Sequence, residues 1–240
     1  MIYSIAGLKI FLDNKYSYTY NFCRNYLIEG ETEYDIKATA TAEEIEAEKQ
    51  ANAPKYPDGY IENICLYRSL CRQLPDFDRF LLHAAVLEKD GNAYAFLGKS
   101  GAGKSTHTGL WIKYMDGVKI LNGDKPIISM DGDGFTVYGT PWNGKEGRGY
   151  NGSAPLRSLC FVEKASVNEI TELTRSEVAM RIFTQILLPT DEKNAAKTLE
   201  LIDKLIESVP SYLLRCDMTE EAVKICYEGL TGRTYVGKGE

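Results

Sequence analysis

Residues 96 to 108, FLGKSGAGKSTHT, constrain this chain more than any other stretch, because they contain Gly98-x-x-x-x-Gly103-Lys104-Ser105. Every fixed position of a phosphate-binding loop is present. The apolar run Ala93 to Leu97 predicts a buried strand before it, and Thr106 to Tyr114 can continue as a helix after it. Gly98, Gly101 and Gly103 allow positive φ and leave no Cβ between main chain and anion, so successive N–H groups can converge on phosphate. The helix adds its positive N-terminal end. Lys104 is expected to reach the β- and γ-phosphates, and the Ser105 hydroxyl to ligate a Mg²⁺ ion bridging them. Ser100 and Ala102 add loop amides, and Thr106 can touch the α-phosphate through its hydroxyl. The expected ligands are a nucleoside triphosphate and Mg²⁺. The motif says nothing of what receives the phosphoryl group.

A carboxylate is required opposite such a loop. Asp124 ends the apolar run Val118 to Leu121 through Asn122-Gly123, one helix and one return strand beyond Lys104. It suits Mg²⁺ binding through water, a general base toward an acceptor hydroxyl, or both; an ordinary turn Asp beside Gly123 would need neither role. The segment PWNGKEGRGYNGSAP at 141 to 155 predicts a long Gly-rich loop, and such loops are commonly functional. Its Lys145 and Arg148 either neutralise charge on a transferred phosphoryl group or are solvated loop charges. Trp142 reads as a buried loop anchor. His83, among Leu81, Leu82, Ala84 and Ala85, reads on pattern alone as a core histidine.

Elsewhere, periodicity predicts a strand over 2 to 12, aromatic-rich structure at 16 to 28, a short strand at 34 to 38 and an exposed helix at 42 to 50. A Pro/Gly/Asn segment at 52 to 60 reads as a linker or surface loop, followed by an amphipathic helix from Ile61 to Leu74 stopped by Pro75. Strands at 80 to 88 and 92 to 97 flank a Lys89-Asp90-Gly91-Asn92 turn, which predicts a hairpin. A second hairpin joins 127 to 130 and 135 to 138 through Asp131-Gly132-Asp133-Gly134. Then come a strand at 156 to 162, helices at 176 to 187 and 192 to 208, a strand at 211 to 216 and a helix at 219 to 229. The division predicted is a small α+β region over 1–75 and a catalytic region over 76–240.

Composition adds exclusions. The chain has 240 residues, 44% hydrophobic and 26% charged, with a formal charge of −6 and no long Lys/Arg run, which argues against nucleic-acid or anionic-membrane partners. No apolar run approaches the ~20 residues of a membrane-spanning helix, and the start does not read as a signal peptide. The six cysteines form no C-x-x-C pair and only two histidines accompany them, so reduced thiols in a cytoplasmic protein are expected rather than a zinc site.

Taken together, LLHAAVLEKDGNAYAFLGKSGAGKST, a strand ending in NGDKP, the DGDG hairpin and TPWNGKEGRG resemble the catalytic domain of HPr kinase/phosphorylase, and the nucleotide site of ATP-dependent phosphoenolpyruvate carboxykinases. The resemblance spans roughly residues 78 to 163, with a weaker echo in VPSYLLRCDMTEEAV. It implies an α/β fold with a P-loop on a mixed sheet, and ATP- and Mg²⁺-dependent phosphoryl transfer to a hydroxyl of a small molecule or of a peptide or protein Ser. It matches His83 to a functional histidine before the loop, Asp124 to the second of two paired aspartates, and Lys145 and Arg148 to an Arg-Gly-rich signature. Gly123 stands where the first aspartate is expected. No segment corresponds to the loop by which HPr kinases hold HPr. The rival reading is a non-catalytic ATP-binding module that regulates a partner protein. Assembly is left open between monomer and homo-oligomer.

Overall fold

An Ala6-Gly7 turn with φ of 54° and 73° splits the N-terminal apolar stretch. Two consecutive positive φ values make the primed turn that matches strand twist. The predicted single strand over 2 to 12 is therefore a hairpin of β1 (Ile2–Ile5) and β2 (Leu8–Leu12). The structure, a computed structural model, describes residues 1–52 and 56–239. The aromatic stretch becomes α1 (Ser17–Cys23) with a 3₁₀ turn, and β3 (Ile36–Ala38) joins β2 in parallel to complete a three-stranded sheet. Helices α2 (Ala42–Asn52) and α3 (Asp58–Gln73) follow. Part of the predicted 52-to-60 loop, residues 53 to 55, lies outside the described residues; Asn52 ends α2, and α3 opens at Asp58, earlier than expected.

The second sheet has nine strands and curls. Its order is β4 (Arg79–Leu81), β8 (Ile127–Asp131), β9 (Gly134–Tyr138), β10 (Ser153–Lys164), β6 (Asn92–Leu97), β5 (Ala85–Lys89) and β7 (Lys119–Asn122), with β12 (Ser211–Cys216) also on β10 and β11 (Glu169–Glu172) on β12. The predicted strand over 80 to 88 is two strands. Between them Leu82, His83 and Ala84 leave the ladder and donate their N–H groups to Pro126 O, Gln185 O and Asp124 O. The Asp90-Gly91 turn has positive φ at both residues and closes β5 on β6 as the dipeptide predicts. Strand β11 was not predicted, since Glu-Ile-Thr-Glu has only one apolar residue and lies at the sheet edge.

Long strand β10 unites the sheet. Its first three residues pair with β9, residues from Leu156 to Phe161 run parallel to β6 with an irregularity between Leu156 and Ser158, and its end runs parallel to β12. One face carries Leu97, Leu159 and Phe161 against α5 (Arg175–Ile182) and α6 (Glu192–Ser208). Helix α5 starts with a Thr174/Glu177 capping box. Helix α6 is capped by Asp191 and buries Asn194, Thr198, Leu201, Ile202 and Leu205, one helical stripe. The opposite face carries Phe96, Cys160 and Leu214 against α4 (Lys104–Tyr114) and α7 (Glu220–Thr231). The small sheet shares a core with α3 and with Leu81, Ile127 and Trp142. No helix among the described residues is long and apolar enough to cross a membrane.

Candidate active site

Strand direction assembles the site. β10 runs parallel to both β6 and β12, and β5 is antiparallel to β6 and to β7, so β6, β7, β10 and β12 all end at one edge of the sheet. The ends of β6 and β7 carry the Gly98–Ser105 loop and Asp124. Because β5 runs the other way, its beginning lies at the same edge and brings His83 there. A cleft of about 500 Å³ opens between them. Its walls include His83, the loop from Ser100 to Thr106, Gly123, Asp124, Lys145, Arg148 and Lys164. Every residue expected to bind nucleotide or carry chemistry faces this cleft except Gly98, which forms the base of the loop.

Gly98, Gly101 and Gly103 have φ of 143°, 81° and 110°. A Cβ on Gly98 would meet the Ala102 Cβ and the Val162 carbonyl oxygen, each at 3.1 Å, so a side chain there would fill the turn. Gly103 caps α4 without a side-chain hydrogen bond, and the first N–H groups of a helix have no acceptor within it. Lys104 opens the helix and is only 9% exposed; its Nζ donates to Gly98 O at 2.7 Å, folded across its own loop. Burial pulls its pKa down, opposed by the nearby Asp124 charge. Ser105 and Thr106 stand exposed at the helix start.

Asp124 is held from three sides. Asn122 Oδ1 accepts from the backbone N–H groups of Asp124 and Lys125, at 2.9 and 2.7 Å, which fixes the turn. Asp124 Oδ1 lies 3.1 Å from His83 Nε2, and its Oδ2 accepts from Lys125 Nζ at 2.8 Å. Burial works to raise its pKa, but the hydrogen bonds from His83 and Lys125, with their charges, outweigh it and hold the carboxyl at about 2. Asp124 is therefore ionised at any ordinary pH. The bland reading of His83 as a core residue fails here: its side chain is about one-third exposed and lines the cleft.

Gly123 is packed shut. A Cβ there would stand 2.5 Å from Asn143 O and 3.2 Å from Arg148 O, so the Gly-rich loop docks its main chain on this glycine. Tyr150 N–H donating to Leu121 O and a bridge between Asn122 and Gly149 hold the loop on β7. The loop is shorter than predicted, since β10 already begins at Ser153. Trp142 is its anchor: buried, donating from Nε1 to Asn63 Oδ1 at 2.9 Å, with its ring against Tyr67. Arg148 is about half exposed and lies 3.3 Å from Glu146. Lys145 lines the cleft.

Lys125 and Lys164 are site residues that pattern reading missed. Lys125 adjoins Asp124 in sequence, so its position alone could have flagged it. Lys164 is the last residue of β10, far beyond the loop in sequence, and only the β10–β6 pairing brings it across. His107, by contrast, turns away from the cleft: Trp111 Nε1 donates to its Nε2 at 3.0 Å, and burial pushes its pKa down to about 4.

No protein-family model matches the chain, and no curated protein matches it. Among solved structures it is similar to the HPr(Ser) kinase/phosphatase from Coxiella burnetii, at a TM-score of 0.35 and 10% identity, over 62% of this chain and 95% of that one. The likeness is distant and says nothing about chemistry.

Proposed function

We propose that the chain is an ATP- and Mg²⁺-dependent phosphotransferase that moves a γ-phosphoryl group to a hydroxyl of a small molecule or a peptide Ser. One observation carries this: an ionised carboxylate, Asp124, shares one cleft with Lys104 and a glycine loop whose Cβ-free turns open at a helix start. The residues suit the ligand. Lys104, with the loop amides of Ser100 to Ser105, would hold the phosphates, and Ser105 Oγ and Asp124 would hold the ion. Both Asp124 oxygens are hydrogen-bonded, yet each keeps a further lone pair for a water in the ion's shell. Mg²⁺, when bound, neutralises charge on the phosphate oxygens.

A carboxylate held near pKa 2 is a weak proton acceptor, so its better use is as a fixed anion. His83 touches it through Nε2, and Nδ1 makes no hydrogen bond within the described residues. The acceptor hydroxyl gives its proton to His83, which the Asp124 contact holds in place, as its oxygen attacks the γ-phosphorus. The bond to the β–γ bridging oxygen breaks and ADP leaves. Lys145 and Arg148 line the same cleft and would neutralise charge on the transferred group.

Labelled ATP, Mg²⁺ and a panel of hydroxyl compounds and seryl peptides test the proposal. Transfer of label that depends on Lys104 and Asp124 supports it. Stabilisation by nucleotide with no transfer to any compound would favour the regulatory-module reading instead. Gly123 leaves no room for a second carboxylate while the loop is docked, which is the feature that reading draws on.

A further inference from the structure

On the far side of the glycine loop lies a second cleft, of about 610 Å³, between the loop and the 3₁₀ turn after α5. Its lining brings Lys99 and Lys164 together with Met180, Arg181, Gln185 and Glu163. Ser100 to Ala102 and Lys164 line both clefts, so the two meet over the crest of the loop. Lys99 and Lys164 are exposed and form no ion pair among the described residues. Arg181 has only a loose contact to Glu163, at 3.8 Å, and Glu163 is shared with Arg215 at 3.6 Å. The cleft therefore carries surplus positive charge.

Gln185 sets this cleft apart. The residue is 4% exposed, and its Oε1 is buried without a hydrogen-bond partner among the described residues. The amide orientation is set by its neighbour. Thr184 Oγ1 spends its proton on Arg181 O at 3.0 Å, so it can only accept from Gln185, whose Nε2 lies 2.7 Å away. That turns Oε1 elsewhere, as an acceptor in need of a donor, a costly arrangement that native structures keep for a reason. Gln185 is also bound to the candidate active site: its carbonyl oxygen accepts the His83 backbone N–H at 2.7 Å.

We infer that this cleft binds the phosphoryl acceptor, and that the acceptor is a small hydroxylated acid. A donor of the acceptor reaches Gln185 Oε1 once the amide, buried before binding, turns toward the cleft, and its anionic group meets Arg181 and Lys99. The hydroxyl then projects over the Ser100–Ala102 crest toward the γ-phosphoryl position. The size falls within that of small-molecule sites, and the lining combines apolar wall with a few polar groups. The inference rests on the phosphotransferase reading above and adds the acceptor's chemical class.

The test is binding of D-glycerate, L-serine and uncharged glycerol to the full-length protein holding a non-hydrolysable ATP analogue. D-glycerate or L-serine is expected to bind at least tenfold more tightly than glycerol. Gln185→Leu and Arg181→Gln should each weaken that binding fivefold or more, with analogue affinity changed less than twofold. Because Gln185→Leu removes an orphaned acceptor, its melting temperature without ligand should equal or exceed that of the parent. Equal binding of all three compounds, or acid binding untouched by both variants, would overturn the inference, as would binding of a seryl peptide and of no small acid. Failure of the analogue itself to bind is a separate result: it strikes the nucleotide reading, and it is measured first, in the absence of any acceptor.

Discussion

Adding one methyl group at Gly123 should unseat the Gly-rich loop. In Gly123→Ala the new Cβ would sit 2.5 Å from Asn143 O, where ordinary contact begins near 3.4 Å. The loop must retreat by about 1 Å, because the other side of the contact is β7, in the middle of a packed edge. Two features resist this: the Tyr150 N–H bond to Leu121 O, already 3.3 Å long, and the Asn122–Gly149 bridge. Overpacking of this kind costs roughly 1–3 kcal/mol. At the roughly 2–4 °C per kcal/mol expected of a chain this long, the melting temperature should fall by about 2–12 °C. Lys145 and Arg148 move with the loop, so nucleotide affinity should weaken as well. Scanning fluorimetry with and without an ATP analogue reads both effects. Gly134→Ala is the control, since a Cβ there meets nothing within 4 Å and φ is not positive; it should stay within about 0.5 kcal/mol of the parent. If Gly123→Ala matched that control in stability and affinity, the loop would not be seated on β7 and the shape of the cleft argued above would be wrong.

Lys104→Ala should abolish ATP binding or turnover, and calorimetric affinity unchanged from the parent would remove Lys104 from the site. Asp124→Asn should lower turnover about 100-fold or more while the protein stays folded, checked by circular dichroism beside the rate; an unaltered rate would leave the carboxylate with only a structural part. His107 predicts acid sensitivity: its pKa falls from 6.5 in the unfolded chain to about 4 when buried, so the unfolded state binds the extra proton between those values. Stability is full above pH 6.5 and declines as pH falls, by about 2 kcal/mol at pH 5 relative to pH 8 from this residue alone. Urea titrations of the parent and of His107→Asn at both pH values test it, and equal pH slopes would refute it. Trp142→Phe should cost about 1–3 kcal/mol by stranding the buried Asn63 carbonyl, read as a shift in urea midpoint.

Much of this was readable before folding because the signals are local. The glycine loop declares itself by residue type, and the residue 192-to-208 helix by a polar cap followed by one apolar stripe. One error is local and the rest are long-range. Ala6 adopts positive φ with nothing in its chemistry to announce it, so one apolar run concealed a hairpin. Leu82 to Ala84 look like strand continuing through, yet their N–H groups turn to carbonyls 40 or more residues away, among them Asp124 O and Gln185 O. That detour is what exposes His83 to the cleft, and no window of neighbouring residues encodes it. The same holds for Lys164 and Gln185, which reach the site only through long-range pairing, and for Gly123, whose lack of a side chain acquires meaning only once Asn143 lies on it.

The sharing of β10 among β9, β6 and β12 has a mechanical consequence. Melting β9, β6 or β12 strips partners from the same twelve-residue strand, so the two halves of the curled sheet support each other through it. Heat or denaturant should therefore dismantle this sheet in one step, and a cut anywhere within β10 should release the glycine loop's support and the β8–β9 hairpin together.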